Sequence, residues 1–505
     1  MVVSLAMQAL TMALLIWFRW TTMDLLTLDE IRAAESLAFQ TQSPYALMNR
    51  AGNTATSWIR DHFPVPGPVL VLAGPGNNGG DGWVVARELL HCGYTTTVVF
   101  TGDPQRLPAD AARARREYLE AGGLVAADWQ PHPTPLLVVD AIFGIGLNRP
   151  PEGRHAEWIA RTAALQCPVV ALDIPSGLHG DSGRAQGAAI RASHTLTFIA
   201  AKAGLYTADG PDHCGAISVL DLGVPAPGSG ALLDGPAILR ALPARARNTH
   251  KGQFGAVGIL GGAQGMAGAA LLAAVAALKC GAGRVWLAPL DEALSGALIS
   301  LHQPELMVHG PQALLHEARL TTLVVGPGLG QSTEAAQLLA AALSLPVKLV
   351  LDADALNLIA AHPELAARVA QRTAPTLLTP HPAEACRLMG EAAITHRVRT
   401  ALALARRYQA LVVLKGCGSV IATPQGQWWI NTSGNAGLSA PGMGDVLAGA
   451  LGALTDQGLS PLQALQCAVY AHGAAADHCL AQGLGPLGLT ASEVIDALRE
   501  VLNAH

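Results

Sequence analysis

Aromatic residues make up only 4% of this chain and charged residues 14%, and just five of its 505 residues are lysine. The formal net charge is -5 and no long basic run occurs, which argues against a nucleic-acid surface. The eight cysteines are scattered and none shows C-x-x-C spacing, so neither a zinc site nor a redox pair is indicated. That usage fits a reducing, cytoplasmic compartment. His472, His478 and Cys479 lie close in sequence, but their spacing matches no metal motif and reads as helix packing. Residues 1–22 are mostly apolar as far as Trp17, yet short for a membrane span and without a positive leader or a clear cleavage site. They read as an extension created by an early start, with Met23 as the natural beginning; a weak anchor or docking helix is the alternative. No stable membrane association is expected.

Half of the chain is apolar, and 54 glycines accompany abundant alanine. Such a composition builds large cores of tightly packed helix on sheet, and the length calls for two to four domains. Residues 23–60 read as helices. Apolar runs then recur at 69–72, 96–100, 136–139, 169–172, 195–199 and 217–220, with helix-like stretches such as 110–121 and 156–164 between them. Alternating β and α units predict a doubly wound parallel sheet with its ligand at the carboxyl ends of the strands. The Pro/Gly/Ser stretch around 225–230 breaks the pattern, giving a domain over 23–225 and a linker over 226–236. A second α/β series over 237–505 has strands predicted at 256–260, 285–288, 323–325, 349–351, 376–378, 411–414 and 419–422. The two halves share no internal repeat.

Three motifs sit at predicted strand ends in the first half. Gly74-Pro75-Gly76-Asn77-Asn78-Gly79-Gly80-Asp81-Gly82 follows the run 68–73 and reads as a loop, with a helix over 83–90 behind it. A strand, a glycine loop and a helix N-terminus present backbone N–H groups to an anionic ligand. The two amides and the carboxylate add side-chain oxygens that phosphate loops usually lack. Val139-Asp140-Ala141-Ile142-Phe143-Gly144-Ile145-Gly146-Leu147 and Leu172-Asp173-Ile174-Pro175-Ser176-Gly177-Leu178 are the other two. A single carboxylate at a strand end is commonly a turn former or cap. Asp81, Asp140 and Asp173 converging on one crevice point to function. Asn78, Asp140 and Ser176 supply oxygen donors with one negative charge, which suits a hard, weakly held cation or a simple hydrogen-bond network.

In the second half, Gly434-Asn435-Ala436-Gly437-Leu438-Ser439-Ala440-Pro441-Gly442-Met443-Gly444-Asp445 leads into a plausible helix. Gly442 and Gly444 let the backbone approach a phosphate, and the helix dipole favours the negative charge. Asp445 stands where it could take a proton from an attacking hydroxyl, though a first-turn acid also simply favours the dipole.

These motifs, in this order, resemble the bifunctional NAD(P)H-hydrate repair enzymes: an epimerase domain of Rossmann-like fold fused to an ADP-dependent dehydratase domain of ribokinase-like fold. Supporting segments include Asn248–Gly255, Gly326-Pro327-Gly328-Leu329-Gly330, Leu351–Asn357, Thr379–Glu384 and Lys415-Gly416-Cys417-Gly418-Ser419. The resemblance implies epimerisation of hydrated NADH or NADPH, then dehydration of the S form at the expense of ADP, giving NAD(P)H, AMP and phosphate. It implies potassium on Asn78, Asp140 and Ser176. It places the hydrate against Asn77–Asp81, Gly144-Ile145-Gly146-Leu147-Asn148-Arg149-Pro150 and Asp173 in the first domain, with Asp173 the candidate acid/base and Asp81 its competitor. In the second it places hydrate contacts near Ala269, Gly328, His381 and Asp445, and nucleotide contacts at Lys415–Ser419 and Gly444. Asp445 is the candidate base. Magnesium is expected with the nucleotide, with Asp352 and Glu384 as candidates to organise it through water. A homo-oligomer is expected. Two departures stand out: Asn49 where the family usually has Glu, and Pro441-Gly442-Met443-Gly444 where it usually has Gly-Gly-Thr-Gly. The alternative reading is a ribokinase-like small-molecule kinase fused to a Rossmann-like ligand-binding domain.

Overall fold

Residues 23–129, 134–291 and 303–504 are described by a computed structural model; the apolar extension 1–22 lies outside them. The described chain divides into two compact units, Met23–Ala231 and Leu232 onward.

The first unit is built on seven strands in the order Leu124–Ala126, Thr95–Val99, Pro68–Ala73, Leu137–Ala141, Val169–Leu172, His194–Phe198, Ala216–Leu220, every neighbouring pair parallel. The central strands are buried along nearly their whole length, as expected for apolar runs covered on both faces. Strand order reverses between Pro68–Ala73 and Leu137–Ala141, so the crevice at their carboxyl ends is the topological switch point. Two of the three expected motifs follow these strands, and the third follows the adjacent strand Val169–Leu172.

Two expectations for this unit need correction. Residues 23–60 are not all helical: Asp24–Leu26 is a strand, parallel to Ala201–Lys202 and antiparallel to Gly230 and Ala231. The stretch 226–236 is accordingly not all linker. Its Gly230–Leu232 is a strand and the helix Gly235–Arg240 starts within it. Second, the glycine-rich segment is mostly helix, because the helix begins at Asn77 and not after Gly82. Helix propensity disfavours glycine, but close packing requires it here. A Cβ on Gly79 would collide with the Gly74 carbonyl oxygen, and one on Gly82 would lie 2.5 Å from the Ala141 Cβ.

In the second unit the strands Met307–Val308, Arg284–Pro289, Ala256–Gly261, Thr322–Val325, Lys348–Leu351, Thr376–Leu378 and Leu411–Leu414 are neighbours in that order and parallel. Ser419–Ala422 and Trp428–Asn431 then add on antiparallel. The helix Met443–Leu454 runs against Ala267–Lys279 so closely that a Cβ at Gly449 would strike the Ala273 carbonyl. A core of alanine, leucine and valine from these helices and from Pro461–Ala481 and Ala491–Asn503 covers the sheet.

Candidate functional sites

In the first unit a cavity of about 450 Å³ opens at the switch point. Its wall includes Asn77, Asn78, Asp81, Gly144, Ile145, Gly146, Leu147 and Asp173. Of the other sequence-predicted residues, Gly79 and Gly80 serve the packing behind it, while Asn148, Arg149 and Pro150 are exposed and do not line it.

Asp173 follows its strand with φ at 65°, a left-handed conformation that aspartate tolerates better than most residues. This turn aims the carboxylate at two donors. Its Oδ2 accepts from the Ile145 N–H at 3.0 Å, and its Oδ1 lies 2.7 Å from the Lys202 Nζ. Gly144 is required at this point, since a Cβ there would lie 2.7 Å from Asp173 Oδ2. Lys202 is fully buried and also donates to the Thr197 hydroxyl and the Phe198 carbonyl. Sequence reading missed Lys202. It also missed Glu35, which reaches the cavity from the helix Leu28–Ala38. Burial, and then the charges of Asp173 and Glu35, push the Asp81 carboxyl well above its ordinary range. Glu35 is raised by burial and by Asp173.

Asp140 and Ser176 lie behind the cavity wall. The Asp140 carboxylate accepts from the Ser176 hydroxyl at 2.6 Å, the Ser176 N–H at 2.8 Å and the Ile142 N–H at 3.3 Å. Burial still pushes Asp140 up to about 6. The Ser176 oxygen accepts from the N–H of Phe143, which lines the cavity. Asn78 is buried with neither its amide oxygen nor its amide nitrogen hydrogen-bonded. The orphaned Asn78 amide in the first turn of the helix Asn77–His91 and the fully buried Asp140 carboxylate near the end of the strand Leu137–Ala141 are oxygen donors of the kind a hard monovalent cation takes.

The second site lies at the N-terminus of Met443–Leu454. Gly442 caps it at φ 86° without a side-chain hydrogen bond, so the first-turn N–H groups stay available to an anion. Gly444 packs against an ion pair: a Cβ there would lie 3.2 Å from the Lys415 Nζ and 3.6 Å from Asp352 Oδ2. Lys415 meets the other oxygen, Asp352 Oδ1, at 2.7 Å. Burial and the Asp352 charge raise Asp445 to about 7. Its carboxyl therefore ionises near neutrality, as a general base requires.

Two further expected residues, His381 and Glu384, lie within reach of the charges of this pair. The charges of Lys415 and Asp352 both act on His381. His381 is also a helix cap: its Nδ1 accepts from the Ala383 N–H at 3.1 Å while Glu384 accepts from the His381 N–H at 2.7 Å. Burial raises Glu384 to about 7. Gly328, at φ 58°, faces Ala269, whose Cβ would lie 3.2 Å from a Cβ at Gly328. Gly330 N–H donates to Asp354, a neighbour whose charge reaches Asp445. In the loop 415–419 the Ser419 hydroxyl closes back on the Gly416 N–H and carbonyl, leaving Cys417 exposed at the tip. Arg397, which the sequence reading did not single out, donates to the carbonyls of Leu414 and Lys415 and so fixes the base of that loop. Among the described residues no cluster of three or more His, Cys, Asp or Glu could cage a metal, and no helix is long and apolar enough to cross a membrane.

A family model described as NAD(P)H-hydrate dehydratase matches residues 257–499, and one described as YjeF-related protein N-terminus matches residues 44–204. The bifunctional NAD(P)H-hydrate repair enzyme of Coxiella burnetii is 39% identical over 495 residues, covering 94% of this chain and 98% of that protein. Its counterpart in Escherichia coli K12 is 37% identical, covering 94% of this chain and 93% of that protein. A solved ribokinase-like superfamily protein from Enterococcus faecalis V583, 24% identical, covers 55% of this chain and 96% of its own with a TM-score of 0.50, a likeness of fold. With both units matched and relatives aligned over nearly its whole length, the chain belongs to the bifunctional NAD(P)H-hydrate repair enzymes.

Proposed function

We propose that the first unit interconverts the R and S forms of hydrated NADH and NADPH, and that the second dehydrates the S form at the expense of ADP. The observation that carries this reading is the presence of two distinct built sites on one chain. One is an acid-lined cavity at a switch point; the other is a helix N-terminus with Asp445 beside the Lys415–Asp352 pair.

Epimerisation breaks the C6–O bond while the ring nitrogen's lone pair forms the N1=C6 bond. Water then returns to the opposite face and the pair goes back to nitrogen. Asp81, whose hold on its proton is strengthened by burial and by the neighbouring charges of Asp173 and Glu35, gives that proton to the departing oxygen. Asp173, oriented by Lys202 and Ile145, takes a proton from the returning water. Exchange through the cavity resets the two carboxyls. Asn78, Asp140 and Ser176 would hold potassium, which when bound would offset the buried Asp140 charge and keep this wall of the cavity in place.

In the second unit Asp445 takes the proton of the C6 hydroxyl, whose oxygen attacks the terminal phosphoryl of ADP and releases AMP. The C6–O bond to phosphate then breaks, C5 loses a proton, and the C5=C6 double bond of the reduced nicotinamide returns. Lys415 and the first-turn N–H groups at Gly444 meet the phosphoryl charge. Asp352 and Glu384 are already engaged by Lys415 and His381, so they would reach magnesium only through water, and the ion would be carried mainly by the phosphates.

The test is absorbance at 340 nm on a mixture of both hydrate epimers with potassium, magnesium and ADP. Full recovery of reduced cofactor supports both activities. Recovery that stops at the fraction of one epimer removes the epimerase assignment, and no recovery with folded protein removes the repair reading altogether.

A further inference from the structure

Arg397 is buried at the start of the helix Arg397–Tyr408. That helix leads through the left-handed Gln409 into the strand Leu411–Leu414, so its first residue stands level with the strand's carboxyl end. There one guanidinium nitrogen, Nη2, donates to the Leu414 carbonyl and to the Lys415 carbonyl, each at 3.1 Å. These carbonyls belong to the two peptide units that flank the Lys415 Cα. The opposite ends of the same units are held as well. The Lys415 N–H donates to the Pro380 carbonyl at 2.9 Å, and the Gly416 N–H donates to the Ser419 hydroxyl at 3.3 Å. Gly416 lets the guanidinium lie against the chain: its φ is 138°, and a Cβ there would lie 2.9 Å from both Nη1 and Nη2 of Arg397.

We infer that Arg397 is a positioning residue for phosphoryl transfer: by holding the peptide planes on both sides of Lys415, it fixes the direction in which that lysine reaches the transferring phosphoryl group. The inference rests on the dehydratase reading of this unit. A peptide unit is planar, so a residue has only φ and ψ with which to turn. With the planes before and after Lys415 each hydrogen-bonded at both ends, neither torsion is free, and the side chain leaves the backbone in one direction. The lysine then meets Asp352 Oδ1 at 2.7 Å, beside Gly444. Its long flexible stem would otherwise spread the ammonium over several positions. Stabilising a transition state takes charge that is already in place, and a misplacement of about 1 Å can cost about a hundredfold in rate.

The test is a double-mutant cycle in the full chain, read as steady-state dehydration of the S hydrate with ADP, the slow variants being followed at high enzyme concentration. Arg397→Met removes the donors while keeping a long side chain. It should lower kcat by about tenfold or more, with KM for the hydrate changed by less than about twofold. In a Lys415→Met background the same substitution should lower kcat by less than about threefold, because the group it positions is gone. A loss of the same size in both backgrounds, or the parent kcat in Arg397→Met alone, overturns the proposal. If Arg397→Met does not fold, Arg397→Lys, which keeps the charge without the planar fork, takes its place in the cycle under the same criteria. A parent protein that does not restore absorbance at 340 nm would instead remove the dehydratase reading, so the two failures are distinguishable.

Discussion

The Nζ of Lys202 lies 2.7 Å from the Oδ1 of Asp173, and the lysine is fully buried. Its other two hydrogen bonds go to Thr197 and Phe198, so the ammonium has a full set of acceptors and one fixed orientation. Lys202→Met should therefore act twice. It leaves Asp173 without its counter-charge in a mostly buried setting, which costs about 3 kcal/mol or more of stability. It also releases the carboxylate from the orientation the reaction needs. We expect a lower melting temperature for the first unit and epimerisation slower by about a hundredfold, with dehydration of pure S hydrate unchanged. Epimerisation at the parent rate would show that the pair is purely structural.

Asp81 and Asp173 share the cavity but have different surroundings, and their substitutions should separate. Asp81→Asn removes the proton carrier while keeping its shape. Epimerisation should fall by about a hundred- to ten-thousandfold, the usual range for a lost acid or base, without loss of stability. Asp173→Asn should lower the rate by a similar factor and also lower stability, because Lys202 then lacks its anion. Stopped-flow epimerisation and thermal melts on both variants check this. Equal melts with only Asp173→Asn inactive would return both proton transfers to Asp173.

Replacing potassium by choline at constant ionic strength removes the cation proposed for Asn78, Asp140 and Ser176. The orphaned Asn78 amide and the buried Asp140 carboxylate predict a lower melting temperature for the first unit and slower epimerisation in choline. Asn78→Leu should abolish the difference between the two salts. If parent and variant respond alike to choline, the cation assignment fails.

What was legible in the sequence, and what was not, follows from range. The buried strands of both units were marked by apolar runs, a local signal, and the carboxylates Asp81, Asp140 and Asp173 were marked by standing at strand ends. The start of the first-site helix was misplaced because glycine is a poor helix former. Only the distant Gly74 carbonyl and Ala141 side chain explain why Gly79 and Gly82 are needed inside it. The strand Asp24–Leu26 was missed because three residues carry almost no periodicity and its partners are about 175 and 205 residues away in sequence. Lys202 gave one available hint: it is one of only five lysines, yet it follows a buried strand in an apolar context. His472, read as helix packing, is buried within the helix Pro461–Ala481.

The acid–base behaviour of Asp445 gives the sharpest pH prediction. Burial first, and then the charge of Asp352, raise its carboxyl to about 7, with Lys415 partly opposing. A general base works in its deprotonated form, so dehydration should be slow at pH 5.5, rise about tenfold per pH unit, and level off above about pH 7.5. Glu384 ionises in the same range, so the two must be told apart. Asp445→Asn should lower kcat by about a hundred- to ten-thousandfold and flatten the profile, since no base remains to titrate. Glu384→Gln should keep the rising limb, because the His381 cap can still be held by the amide oxygen. Lys415→Met should shift the limb to higher pH, as the cation that eases Asp445 ionisation is gone. A kcat profile for Asp445→Asn that still rises through pH 7 at the parent rate would remove Asp445 from the proton transfer.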